Sequence, residues 1–371
     1  MASTPTSSSS DDGVPAHLST DARGHIVSVA RCHTKAHNGR PDSFFDSSRF
    51  NIRWVGTSGV LIKHKVGHGH FGDVFLAAEE ETDRPCVIKV LKPVKRDKIN
   101  REIMFLEHLK GGVNIVELMA CVKVPSSRLK CLVFEYIHSP DFKVLYPTFS
   151  DLQIRYYMYE LVRGLEYTHS QGIMHRDIKP LNVLIDPKEH KVRLIDWGLA
   201  EFYFPGKPIR KWPGTRCYKS PELLLNYEYY DYSVDMWALG CMFGGMILLK
   251  HPLFRGRHTN ANQMAAIVKI LGTAPFLAYT EKYKIKLSQD IVAELKKSRG
   301  KPWETMISKK NRHLASPEAL DLLTKLCLYD HHERITAAEA LEHPYFDPVR
   351  DGMPAELAAS LSVGPSAPDR A

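Results

Sequence analysis

Between residues 60 and 136 the apolar positions come in short runs broken by turn residues. Val60–Gly67 (VLIKHKVG), Asp73–Glu79 (DVFLAAE), Pro85–Leu91 (PCVIKVL) and Cys131–Tyr136 (CLVFEY) are alternating or continuous apolar runs, the pattern of strands. One helix interrupts them. In Asp97–Gly112, Ile99, Ile103 and Leu106 recur at spacings of four and three, and Gly111-Gly112 supplies a stop. After about residue 140 the pattern turns mostly helical. Ser150 and Gln153 form a Ser-x-x-Gln capping box, followed by an apolar face of Tyr157, Met158, Leu161, Val162 and Leu165. Ser233–Leu249 is apolar on nearly all sides, which suits a central buried helix. Residues 1–28 and 351–371 lack periodicity and read as flexible tails. The expectation is an α+β, bilobal chain: a small β-rich lobe over 60–137 and a larger α-helical lobe over 138–350, with a cleft between the lobes and a segment 29–59 ahead of them.

A length of 371 residues accommodates two lobes. Fifty basic against 42 acidic side chains give a net charge of +8. That sign admits nucleic acid, anionic membrane or acidic protein partners, and no recognisable nucleic-acid-binding signature accompanies it. The seven cysteines are scattered with no CxxC pair, which argues against a disulfide framework or zinc site and fits a reducing compartment. The N-terminal residues lack the apolar core of a secretory signal, and Met236–Leu249 is too short to span a bilayer.

One stretch demands a chemical reason. In Leu194-Ile195-Asp196-Trp197-Gly198 a carboxylate sits among apolar side chains, where desolvation costs several kcal/mol or more. A bound cation is one compensation. Other stretches supply a reason for a cation. After Val66, the run Gly67-His68-Gly69-His70-Phe71-Gly72-Asp73-Val74 has glycines that let backbone amides approach phosphate oxygens. It leads from strand to strand, which disfavours a dinucleotide fold; a plain hairpin turn is the competing reading. Lys89 ends an apolar strand and needs a partner or a route to solvent. Glu102, on the following helix beside Phe105 and Leu106, can face inward to meet it. His175, Arg176, Asp177, Lys179 and Asn182 then compress a base, a cation and an amide into one loop.

A glycine-rich loop, a strand lysine, H-R-D-x-K-x-x-N and D-x-G, in that order, form the protein-kinase signature. Ser220-Pro221-Glu222 completes it, one small residue away from A-P-E, and Glu222 is expected to pair with Arg334. On this reading Asp196 and Asn182 hold Mg²⁺ on ATP, and Asp177 accepts the substrate hydroxyl proton. Lys179 steadies the transferring phosphoryl group and favours Ser/Thr acceptors, while Lys89 orients the α- and β-phosphates under the glycine-rich loop.

From about Ala30 to Phe346 the chain resembles the casein kinase II catalytic subunits. The stretches that carry this are KPVKRDKINREI, MHRDIKPLNVLID, DWGLAEFY, SVDMWALGCM and SPEALDLLTKLCLYDHHERITAAEALEHPYF. The resemblance implies a protein-kinase fold, nucleotide contacts at Glu135 and Ile137 between the lobes, and ATP, with GTP as an alternative, plus Mg²⁺. It implies acidic Ser/Thr-containing substrates, a regulatory β subunit in an α2β2 tetramer, and a cytoplasmic and nuclear location, with no membrane and no specific nucleic acid. It also implies an activation segment locked active without phosphorylation, with the N-terminal segment 29–59 packed on the kinase core. Trp197 is then a ring hard to flip out, with an indole N–H able to donate; a simple core aromatic is the alternative. Lys95, Arg96 and Lys98, with Arg216 and Lys219, would favour acidic residues after the target. Three departures bear on this: Asp97 interrupts the basic run, Trp212 stands where an arginine is expected, and Gly72 adds a third glycine. GTRCYKSPELL also resembles the proline-directed cyclin-dependent and mitogen-activated kinases. A non-catalytic kinase-fold scaffold is the remaining alternative.

Overall fold

The computed structural model describes residues 18–56, 59–68, 72–92, 96–124 and 129–362, and leaves the side chains of His68, Arg96 and 360–362 undescribed. The described residues open with a hairpin of β1 (Leu18–Thr20) and β2 (Ile26–Ser28). Then come β3 (Trp54–Val55), β4 (Val60–His68), β5 (Gly72–Glu79), β6 (Pro85–Leu91), helix α1 (Arg96–His108), β7 (Leu118–Lys123) and β8 (Lys130–Glu135). Strands β3 to β8 form one sheet in the order β3-β7-β8-β6-β5-β4. All its pairings are antiparallel except β3 with β7. Helix α1 buries Ile99, Ile103, Phe105 and Leu106, the face its spacing foretold, and Gly111 follows at φ +75°.

The large lobe is built on helices. Helix α2 (Asp151–Ser170) starts in the expected box: Gln153 N donates to Ser150 Oγ (3.2 Å) and Ser150 N to Gln153 Oε1 (3.0 Å). Helix α3 (Ser233–Ile247) is buried along its whole length. Helix α4 (Asn260–Leu271) follows. No helix among the described residues is long and apolar enough to cross a membrane.

Residues 1–17 and 363–371 of the two tails lie outside the described residues, and the described parts differ from the expectation. The segment from Leu18 to Ser28 is an ordered hairpin. Asp21 Oδ1 accepts the Arg23 and His25 amides, Asp21 Oδ2 accepts the Tyr229 hydroxyl (2.6 Å), Arg23 pairs with Glu228 (2.7 Å), and the Tyr227 hydroxyl donates to Ile26 O (2.8 Å). At the other end Ala355–Ser362 is helical, with Leu357 buried in the core. In both cases the stabilising partners are remote in sequence, so a local composition count cannot see them.

The segment between β2 and β3 ties the lobes together. Ala30 N donates to the Tyr203 hydroxyl (2.8 Å), His37 Nε2 bonds Gly172 O (3.0 Å) and Asn100 of α1 donates to Ser47 O (3.1 Å). Phe44 and Phe45 pack on Phe202, Phe45 also on Phe204, and Phe44 stacks on His108 at 3.9 Å.

Candidate active site

The loop of His175, Arg176 and Asp177 hangs from α3. Asp235, fully buried, accepts the His175 amide (2.8 Å) and the Arg176 amide (2.7 Å), and His169 Nε2 lies 3.0 Å from the same carboxylate. Burial alone would raise the Asp235 carboxyl; the hydrogen bonds from His169 and the amides outweigh it and hold the group below its ordinary value. Arg176 sits at φ +65° and Asp196 at φ +64°, the left-handed region. Such strain persists only where the surroundings fix it.

Asp177 lies 7% exposed at the mouth of this loop, with donors on both carboxylate oxygens. Oδ1 accepts the Thr215 amide and hydroxyl, each at 2.9 Å. Oδ2 accepts Lys179 Nζ (2.5 Å) and Asn182 Nδ2 (3.1 Å). Lys179 Nζ also reaches Thr215 Oγ1 at 3.0 Å, so lysine, aspartate and threonine form one triangle. Asn182 Nδ2 further donates to Asp177 O (2.8 Å). With its nitrogen committed, the amide oxygen of Asn182 is the atom left for a cation.

Asp196 answers the question its sequence raised. Its Oδ1 is buried and has no hydrogen-bond partner among the described residues. An orphaned buried carboxylate oxygen costs free energy unless a ligand meets it, so Asp196 with Asn182 fits a hard divalent cation with oxygen ligands. Ile195 N donates to Asn182 O (3.0 Å), which links the two.

Lys89 Nζ lies 2.6 Å from Glu102 Oε1, and both side chains are largely buried. Burial pushes the Glu102 carboxyl up, opposed by Lys89, with Asp196 adding to the rise. Asn182 meets Asp177 on one side and the residue before Asp196 on the other.

The glycine-rich hairpin is seen at its two arms. Val66, Gly67 and His68 end β4, and Gly72, Asp73 and Val74 open β5, with Gly67 opposite Val74 and His68 opposite Asp73. Its tip, Gly69, His70 and Phe71, lies outside the described residues. Gly72 has a steric reason: a Cβ there would lie 2.3 Å from Val90 O, so only glycine lets β5 close onto β6 beside Lys89. A Cβ on Gly67 would meet only Val74, at 3.5 Å. Glu135 ends β8 with its carboxylate held by Arg193 Nε (2.8 Å) and the Glu117 amide (2.9 Å), and Ile137 is buried. The Glu135 amide also donates to Glu117 O (3.2 Å).

Of the basic residues, Lys95 and the Arg96 side chain lie outside the described residues, and Lys98 is exposed on α1. Arg216 is exposed and Lys219 half-buried on the large lobe near Asp177. Trp197 is 1% exposed and packs on His175 (ring centroids 4.6 Å), but its Nε1 finds no acceptor among the described residues. The expected indole hydrogen bond is absent there, because the ring is enclosed by apolar neighbours; the core-aromatic reading describes it. Glu222 and Arg334 form a fully buried pair at 2.7 Å.

Sequence reasoning missed Asp235, Thr215 and Glu201. Glu201 pairs with Arg101 (2.7 Å) and Arg176 (3.4 Å), and Arg176 also donates to Leu199 O and the Tyr230 hydroxyl (both 2.8 Å). The buried-helix position of Asp235 was a signal: an acid in a wholly apolar helix needs partners.

Residues 61–346 match the protein kinase domain family. The chain belongs to the protein kinases, a family that phosphorylates proteins using ATP and a divalent metal.

Proposed function

We propose that this protein kinase is a Ser/Thr kinase of the casein kinase II type, directed to acceptors followed by acidic residues and active without activation-segment phosphorylation. Asp177 accepts the proton of the acceptor hydroxyl. Lys179, bridging Asp177 and Thr215, steadies the transferred group, an arrangement that supports Ser/Thr acceptors. Lys89, held by Glu102, orients the nucleotide phosphates beneath the hairpin of β4 and β5. Asp196 and Asn182 would hold Mg²⁺, which neutralises phosphate charge when bound. Catalysis on these groups is positioning plus charge neutralisation.

Glu201 is the observation that carries the constitutive reading. The Arg101 and Arg176 cations already meet a carboxylate fixed in the chain, where a phosphate could otherwise order the segment. The segment before β3 adds a second brace through Tyr203, Phe202 and Phe204. Acid direction is supported by Arg216 and Lys219 beside Asp177. GTP as an alternative donor and a regulatory β subunit remain part of the proposal on the family resemblance; residues 125–128, in the loop before β8, lie outside the described residues.

A positional-scanning peptide array with the purified, dephosphorylated chain tests this. Selection of Asp or Glu after Ser/Thr supports it. Selection of Pro at the following position would transfer the chain to the proline-directed group.

A further inference from the structure

We infer that Arg255 and Arg257 are specificity-determining residues, two guanidinium groups that meet the acidic residues following the phosphoacceptor. This rests on the acid-directed reading above and names side chains beyond the activation segment that carry it out.

The loop that bears them is continuous with the activation segment. Arg216 Nη1 donates to Arg257 O at 3.3 Å. Arg216 follows Thr215, whose amide and hydroxyl both meet Asp177 Oδ1 at 2.9 Å. Lys179 in turn touches Asp177. Arg255 and Arg257 therefore stand on the same surface as the acceptor-binding carboxylate.

The loop is held rigidly. Phe254 is fully buried and stacks on Trp237 at 5.6 Å. Gln263 of α4, 1% exposed, clamps both sides of Arg255: its Nε2 donates to Phe254 O (3.2 Å) and its Oε1 accepts the Gly256 amide (2.9 Å). A Cβ on Gly256 would lie 2.3 Å from Gln263 Cα, so this backbone rests directly on α4. On either side of that fixed glycine, Arg255 and Arg257 are exposed. Backbone pinned this tightly presents its flanking side chains in a defined place.

Their charge lacks an internal explanation. Among the described residues neither Arg255, Arg257 nor Arg216 forms an ion pair with a carboxylate, whereas Arg155, Arg163, Arg193 and Arg334 of the same lobe all do. Arg257 also lies just ahead of the α4 N-terminus, where Thr259 caps the helix, and cations there oppose the helix dipole. Clustered like charges at that place destabilise the free protein and favour an anionic ligand. Lys219 shares the role from the activation segment, with one of its three N–H donors on Trp212 O at 2.6 Å. Arginine at two adjacent exposed sites suits carboxylates, and phosphoserine equally, through fork-shaped donation.

The test is steady-state kinetics of the full chain on three peptides, with Ser followed by acidic, neutral or prolyl residues. The variants are R255A/R257A and R255K/R257K, with thermal melting as a folding control. In the Ala pair the ratio of kcat/KM for acidic over neutral peptide should fall about tenfold, the scale of two exposed charge pairs, and the loss should sit in KM. The Lys pair should retain most of the preference. An unchanged ratio in the Ala pair, with wild type still preferring the acidic peptide, overturns this inference and leaves the acid-directed reading intact. A wild type with no acidic preference removes both.

Discussion

Glu222→Gln keeps the shape of one member of the buried ion pair and removes its charge. Glu222 and Arg334 are both fully buried, at 2.7 Å between Oε1 and Nη1 and 3.1 Å between Oε2 and Nη2. Burial alone would raise the Glu222 carboxyl, but Arg334 reverses this and holds it below its ordinary 4.5. The glutamine variant strands a guanidinium inside the large lobe. Breaking a buried pair on one side costs about 3–5 kcal/mol, a large share of the roughly 5–15 kcal/mol that holds a folded domain. Urea denaturation should show the midpoint falling with the slope unchanged. Glu222→Leu combined with Arg334→Met removes both charges together and should recover most of the loss. Because the folded-state carboxyl is depressed, its contribution is complete above the unfolded value near 4.5 and is lost as pH falls through the folded value. Wild type should therefore weaken on acidification below about 4.5 with a component the glutamine variant lacks. A single-variant loss under about 1 kcal/mol, or a double variant as weak as the sum of the singles, would falsify the claim that an ionised pair sits there.

Three shorter expectations follow from the site. Asp177→Asn should abolish phosphotransfer to peptide while the melting temperature stays close to wild type, and unchanged turnover would remove Asp177 as the base. Gly72→Ala should lower both stability and nucleotide affinity, since its Cβ meets Val90 O at 2.3 Å, whereas Gly67→Ala should be tolerated in a melting assay; equal melting of the two variants refutes the steric account. Glu201→Gln should cut kcat/KM of the unphosphorylated enzyme about tenfold, the scale of about 1–2 kcal/mol for a partly buried charge contact. Full activity in that variant would mean Glu201 does not substitute for a phosphate.

What could be read from the sequence was what local pattern encodes. Periodicity located α1 and the strands around it, and the capping box at Ser150 located α2. Motif order brought Lys89, Asp177, Asn182 and Asp196 forward as candidates. The remainder depends on contacts between distant residues. The hairpin at Leu18–Ser28 exists because Asp21 and Arg23 find Tyr229 and Glu228 some two hundred positions away. Leu357 is buried only because the large lobe offers it a place. Thr215 looks like any activation-segment threonine until its amide and hydroxyl both meet Asp177. Trp197 was visible as a bulky ring beside an acid, but whether its N–H finds an acceptor is a matter of atoms, and none of the described ones lies within reach.

The buried polar groups form a connected series that ends at Asp177. Glu222 holds Arg334, and Arg334 Nη1 also donates to Ser233 O at 2.7 Å, the first residue of α3. Two residues on, Asp235 takes the backbone amides of His175 and Arg176. Arg176 is thereby held in a left-handed conformation that places Asp177 next, facing Thr215 and Lys179. Each link is a charge or a hydrogen bond with little water to screen or replace it, so displacement at one end has few ways to be absorbed before the other. Glu222 and Arg334 are thus joined to the Asp177 loop through Ser233 and Asp235 of α3. Loss of Asp235 should therefore damage turnover more than its own contribution to stability implies.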